Sequence, residues 1–304
     1  MKKQTWFYVG LIGVLLSTAN PTVIRWISDD VSMFAFNALR FGVIALLCLP
    51  FVVANLPKLN KQALKSTLIA ALSIAIAVAA YTEAIKMSQA SYASIISLLS
   101  PIILVVLSVR LTHERVRMRG LIGITLAALG AMVVVVMPIA FGQGSFTFYP
   151  LATFLAVLNA VFYPISTIYS RQANVVHKVS MPALLGITSM VVVVVNLVLW
   201  QTVDGARAVA WNNELFWAIF YSGIVVALIA RAIAVFTYER IGAARIAPLT
   251  YLESIITILI PVFVLGESLS IYMILGGVLI LVGTIVVEYH KLTHHKHARY
   301  FHAK

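Results

Sequence analysis

Acidic residues are scarce in this chain of 304 residues: Asp and Glu together number 10, and the three aspartates (Asp29, Asp30, Asp204) all lie outside its long apolar runs. No HExxH occurs, and His113 and His177 fall in short loops. An intramembrane enzyme needs paired aspartates, a Ser/His dyad or a His-rich metal motif within helices, so the sequence argues against catalysis. A single cysteine, Cys48, excludes an internal disulfide and a cysteine metal cluster. It is left with a helix-packing role. Charged residues of both signs make up only 11%, against about 25% in soluble domains. Alternation of apolar and polar positions over ten-residue segments is absent, which excludes a spanning barrel. Long polar segments are missing too. The widest gaps between apolar runs, 141–149 and 203–214, are about ten residues, too short to house an extramembrane domain.

What is abundant is apolar: 62% of the chain, with a mean hydropathy of +1.00. A water-soluble fold of this length cannot hide so much apolar surface. The runs recur at close to the roughly 20 residues that cross a ~30 Å hydrocarbon core. They predict an all-α integral membrane protein with ten transmembrane helices, at 5–26, 33–54, 67–86, 92–110, 120–140, 150–170, 181–202, 215–237, 246–265 and 270–289. The net charge of +12 is distributed unevenly. With the N-terminus inside, seventeen Lys and Arg fall at cytoplasmic ends and three (Arg25, Lys86, Arg207) at outer ends; Arg40 and Arg231 remain inside helices. That bias is the positive-inside rule, and it puts both termini in the cytoplasm of a multi-pass protein of the cell membrane (plasma or inner). The basic residues therefore hold topology and do not bind nucleic acid. Lys2-Lys3 and the apolar run behind them resemble a secretory signal. The run reaches Trp26 without a small-residue cleavage site, so it is expected to stay as the first span.

Residues 84–134 and 237–287 align without a gap at a shift of 153. The register superposes Ala90 on Ala243, Leu99 on Leu252, Ile102 on Ile255, Glu114 on Glu267, Gly123 on Gly276 and Gly130 on Gly283. Asn20-Pro21 matches Tyr163-Pro164 at a shift of 143, and Ser32-Met33-Phe34-Ala35 matches Ser180-Met181-Pro182-Ala183 at 148. Each copy holds five spans. Five is odd, so the second copy enters the membrane from the opposite side, giving two inverted five-helix repeats. The expected units are 1–140, 147–290 and a basic, His-rich cytoplasmic tail, 291–304. The tail histidines (His290, His294, His295, His297, His302) lack an ordered ligand spacing, so a tail touching anionic lipid is expected in place of a metal site.

These features resemble the EamA family of the drug/metabolite transporter superfamily. The resemblance rests on the two copies, on Phe36-Asn37-Ala38-Leu39-Arg40-Phe41, and on Ala90-Ser91-Tyr92-Ala93-Ser94-Ile95 leading to Leu99-Ser100-Pro101. It continues through Glu114, Gly123 and Gly130, then Tyr251-Leu252-Glu253-Ser254, Gly266-Glu267-Ser268-Leu269, Gly276 and Gly283, and covers nearly the whole chain. It implies a ten-helix carrier of small metabolites or drugs, often an exporter of amino acids, with no cofactor. Two departures stand out: Ser254 follows Glu253 where members often have Pro, and Arg231 occupies an apolar or aromatic position of the eighth span.

An ionisable group at membrane depth costs a few kcal/mol or more unless paired or hydrated. Glu253, in mid-span beside Tyr251 and Ser254, either binds a substrate ammonium or a proton, or pairs with Arg40 or Arg231. Arg40 either forks a substrate carboxylate, pairs with Glu83, or snorkels outward; Arg231 either binds an anion or snorkels inward. Pro21 and Pro164 each remove one helix hydrogen bond and free the carbonyl four residues earlier, on Ser17 and Ala160. At matched sites they read as kinks that gate a pathway. Asn20, Asn159, Tyr163 and Ser166 would then line it, joined by Tyr81, Tyr92, Ser97 and Ser100. Glu114 and Glu267 read as loop caps. The glycines of the fifth and tenth spans, with Ala127, read as close-packing faces, scaffold or a dimer seam. The expected activity is exchange of a small-molecule substrate across the lipid bilayer by a monomer or homodimer. A zwitterion such as an amino acid would use Glu253 with Arg40 or Arg231. A drug carrier would use an aromatic cage of Trp6, Tyr81, Tyr92, Tyr163 and Tyr251. A receptor or assembly factor of the same fold would show no flux.

Overall fold

The computed structural model describes residues 3–112, 118–141, 149–241 and 243–294. Every regular element among them is helical, as expected where lipid offers no partner to a backbone amide. In chain order these are α1 (Lys3–Thr18), α2 (Asn20–Ile27), α3 (Met33–Asn55), α4 (Lys61–Met87), α5 (Ala90–Ser97), α6 (Ser100–Thr112) and α7 (Met118–Phe141). There follow α8 (Pro150–Arg171), α9 (Met181–Thr202), α10 (Asn213–Ile219), α11 (Arg231–Ile241), α12 (Ala243–Leu265) and α13 (Ile271–His294). Seven stretches are long and apolar enough to cross a membrane: Gln4–Ile27, Met33–Asn55, Lys61–Met87, Ala90–Leu107, Pro150–Val176, Met181–Thr202 and Asn213–Ala234. Three shorter apolar helices, Leu121–Met137, Leu249–Leu265 and Ile271–Val286, fall on the remaining runs. The ten expected runs are thus all helical, and seven of them reach spanning length among the described residues. His113, Glu114, His295, His297 and His302 lie outside the described residues, as do the side chains of His290 and His294 and the surroundings of Gly120.

Two of the expected single spans are broken. The first divides at Ala19, ahead of Pro21, and the fourth divides at Leu98-Leu99, ahead of Pro101. Proline supplies no amide to the preceding turn, which is the physical reason in both places. Pro164 and Pro50, by contrast, sit inside unbroken helices. The eighth span carries an unexpected π-helical stretch, Phe220–Ala230, between α10 and α11.

Helices α7 and α13 pack along their small-residue faces. A Cβ on Gly130 would stand 2.6 Å from the carbonyl oxygen of Gly276, and a Cβ on Gly276 would stand 2.6 Å from that of Gly130. One on Gly283 would stand 2.5 Å from the carbonyl oxygen of Gly123. Partner numbers fall as the other helix's rise, so the pair is antiparallel. These glycine stripes meet one another within the chain and are covered there, which removes them as a surface for a second copy. Helices α3 and α9 also run antiparallel, with Gly186 against Cys48 and Val52, and Asn37 bonded to Asn196 at 3.0 Å. The alanines of α4 (Ala70, Ala71, Ala75, Ala77) and α8 (Ala152, Ala156, Ala160) are buried and let that pair approach closely. Large apolar side chains face outward instead; Phe263 is 81% exposed and Leu46 71%. A surface of that kind is stable against lipid tails and not against water.

Candidate functional site

The break in the first span is the centre of the polar interior. Interrupting a helix leaves carbonyl oxygens without amide partners, and in lipid they must find others. Tyr221 supplies one, its hydroxyl donating to the carbonyl of Leu16 at 2.8 Å. Ser17 supplies a different connection, with Oγ 2.6 Å from Glu253 Oε1 on α12. The same hydroxyl lies 2.8 Å from the carbonyl of Val14. One proton serves one acceptor at a time, so Ser17 can release Glu253 without being left unsatisfied. Among the described residues Glu253 has no ion-pair partner.

On the other side of the break stands Arg40. Its Nη1 donates to Ser222 Oγ at 2.5 Å, and Ser222 donates onward to Asn20 Oδ1 at 2.6 Å. The guanidinium carbon lies 5.0 Å from the ring centroid of Phe36 and 5.1 Å from that of Phe41, placements that attract a cation. Arg40 is 5% exposed, and its Nε is buried without a hydrogen-bond partner. It forms no ion pair with Glu83, whose Oε1 is likewise buried and unpartnered among the described residues. Tyr221 and Ser222 come from the start of the π-helical stretch, whose wider turns are frequent at functional sites. Gly223 permits the approach, since a Cβ there would lie 2.9 Å from the Arg40 carbonyl oxygen.

The remaining expected site residues are distributed around this centre. Tyr81 shares a hydrogen bond with Ser94 at 3.1 Å. Tyr92 is 1% exposed, bonded to Thr153 at 2.6 Å and packed on the ring of Tyr149. Ser97 donates to Asn159 Oδ1 at 3.2 Å, and Asn159 Nδ2 donates to the carbonyl of Ala77 at 3.0 Å. Together they tie the broken fourth span to α8 and α4. Pro164 and Ser166 are buried, while Tyr163 is exposed. Tyr251 is half-buried, two residues before Glu253 and so on another face of α12. Arg231 is exposed and makes no hydrogen bond or ion pair among the described residues. Trp6 of the expected aromatic cage lies under the guanidinium of Arg240, 5.6 Å from its ring centroid. Glu267 is a loop cap: it accepts from the amides of Ala90 and Ser91 and from Ser91 Oγ.

Sequence reasoning did not single out Tyr221 or Ser222, which lie in an apolar run, nor assign Ser17 a side-chain role. The signal for Ser17 was present in Pro21, four residues on. Nothing in periodicity announces the other two. The site is also one-sided. At the shifts that relate the two copies, Ser17 corresponds to Ala160, Asn20 to Tyr163, Arg40 to Thr188 and Glu253 to Ser100. The charged groups at the break have no charged counterparts.

The sequence matches the EamA-like transporter family twice, over residues 4–136 and 150–289. It is similar to an uncharacterized transporter of Archaeoglobus fulgidus, with 25% identity over 278 residues that cover 91% of this chain and 93% of the relative. A crystal structure of a protein 18% identical in sequence superposes with a TM-score of 0.61, covering 96% of this chain and 99% of that one, which shows a shared fold. With apolar helices throughout and the family match running across both halves, the protein is a multi-pass membrane transporter of small molecules, and it belongs to the EamA-like transporter family.

Proposed function

We propose that this transporter is a secondary exporter of a small zwitterionic metabolite such as an amino acid, working by alternating access between two inverted five-span halves. One observation carries the substrate class. Glu253 and Arg40 are opposite charges, each without an ion-pair partner among the described residues, and they reach the same broken turn, through Ser17 and through Ser222 and Asn20. Charges buried in a protein are paired or occupied by something that pairs them. A zwitterion neutralises both at once, its ammonium at Glu253 and its carboxylate at the guanidinium of Arg40. Ser17 then returns its proton to the carbonyl of Val14, and the first helix is free to move.

The inverted arrangement is supported by how α7 meets α13. At the 153-residue shift Gly130 corresponds to Gly283 and Gly276 to Gly123. The contact of Gly130 with Gly276 therefore maps onto that of Gly283 with Gly123, and both are present. Exchange of equivalent partners is what a twofold relation produces. Halves related by a twofold axis in the membrane plane provide two conformations of equal design, open to either side. On this reading both termini are cytoplasmic, in the cell membrane, and Pro21 and Pro164 mark the helices that rock.

The test is flux into liposomes holding the purified protein, offered a mixture of amino acids, organic cations and organic anions. Zwitterions are expected to cross, and Glu253→Gln and Arg40→Gln to abolish their passage. Arg231→Gln is expected to leave the KM unchanged. Passage of cations alone, or zwitterion flux indifferent to both substitutions, would overturn the assignment. Tight binding without any flux would make the protein a receptor.

A further inference from the structure

The cap formed by Glu267 does more than satisfy a helix end. Glu267 Oε1 accepts from the amide of Ala90 at 2.8 Å, and Oε2 accepts from the amide of Ser91 at 2.9 Å and from Ser91 Oγ at 2.6 Å. These are the first residues of α5, whereas Glu267 belongs to the connection between α12 and α13, 176 residues away from Ser91. Gly266, with φ at +67°, turns the chain sharply at the end of α12, and Ser270 Oγ caps α13 by accepting from the amide of Met273. The carboxylate is thus mounted on a fixed corner.

What it holds is a short piece, packed in the core and bonded through Tyr92 to Thr153 at 2.6 Å and through Ser94 to Tyr81 at 3.1 Å. Helix α5 is eight residues long and ends at Leu98-Leu99, where the span is interrupted before α6. The interruption is set by Pro101, and the corresponding residue of α12 is Ser254, in a helix that runs unbroken from Ala243 to Leu265. The fourth span therefore has a hinge that the ninth lacks. At the hinge end, Ser97 is held to Asn159 by one long contact of 3.2 Å; at the far end, the three bonds to Glu267 converge on one charged acceptor.

We infer that α5 is a hinged lid over the outer end of the pathway, and that Glu267 is the latch that keeps it shut. In this conformation the lid is closed: Ala90, Ser91 and Ala93 are fully buried. Opening needs the carboxylate to release all three donors, and Tyr92 and Ser94 to part from Thr153 and Tyr81, while α5 swings about Leu98-Leu99. Which face is outer rests on the topology proposed above; that the segment is a latched lid does not.

Cysteine reactivity tests this directly, since Cys48 is the sole native thiol and is buried. In a Cys48→Ala background, Ala93→Cys places a reporter on the buried surface of the lid, and a membrane-impermeant maleimide is applied to one face of sealed vesicles at a time. Glu267→Gln, which forfeits the charge, is expected to raise the labelling rate from the outer face by about tenfold or more, the scale of one charge-assisted hydrogen bond. Ser91→Ala removes only the hydroxyl donor and is expected to raise it less. Elution as a single species in detergent and unchanged thermal stability separate opening from unfolding. If both variants keep their fold and label at the parent rate, there is no latch. If Glu267→Gln unfolds, an unchanged rate in Ser91→Ala is enough to reject it. Faster labelling from the opposite face would leave the latch standing and overturn the topology. The labelling needs no substrate, so a wrong substrate class does not affect it.

Discussion

The glycine seam between α7 and α13 gives a prediction whose size follows from distances. In Gly276→Ala the new methyl would lie 2.4 Å from Val134 Cγ2 and 2.6 Å from the carbonyl oxygen of Gly130. Val134 can rotate, but a helix carbonyl cannot. Ordinary contact begins at 3.4 Å, so the two helices must part by 0.8 Å. A gap of that size forfeits about a quarter to a half of each dispersion contact across it, roughly 0.05 kcal/mol per atom pair. If the seam loses as many pairs as one buried leucine makes, about 40, the cost is about 2 kcal/mol, within the range of about 1–3 kcal/mol for overpacked cores. The assay is thermal unfolding in detergent, where a loss of about 3 °C is expected for a chain of this length. Gly130→Ala should cost the same, because it meets Gly276 at the same 2.6 Å. The double variant should cost clearly less than the sum, since one separation relieves both clashes. Single variants with unaltered stability, or strictly additive losses, would show that the helices do not meet here.

Other outcomes follow from the polar interior. Tyr221→Phe leaves the Leu16 carbonyl without its donor, and the loss expected from unfolding in detergent is about 1–3 kcal/mol. Pro21→Ala restores the missing amide and should lengthen α1 through the break; flux in liposomes is expected to fall while the protein elutes normally. The Asn37–Asn196 bond, fully buried, should show a double-mutant coupling of only about 0.6 kcal/mol, typical of hydrogen bonds between membrane helices. A coupling several times larger would mark it as part of the mechanism.

The helices were legible because their signal is long and simple: all ten apolar runs are helical among the described residues, and seven of them reach spanning length. Pro21 announced the break in the first span because a missing amide is a local fact. Pro101 carried the same information, yet the run at 92–110 reads as one span unless each proline is asked what it interrupts. Pro164 shows the opposite error, since a matched proline does not guarantee a matched break; α8 stays continuous around it. The site was legible in its charges and in Asn20 beside Pro21. Glu253 and Arg40 stand out against lipid, whereas Ser17, Tyr221 and Ser222 act through partners 182 to 236 residues away, a distance no periodicity reports. The π-helical stretch is of the same kind: its composition is that of any apolar helix.

Because Glu253 and Arg40 stand opposite Ser100 and Thr188 in the other copy, the two halves have parted company in chemistry while keeping a common scaffold. On the proposed reading, mutations that retune cargo need touch only these two positions, one in each half, leaving the glycine seam of α7 and α13 unchanged. Chimaeras carrying two first halves or two second halves would inherit the machinery of motion without a lock for any passenger.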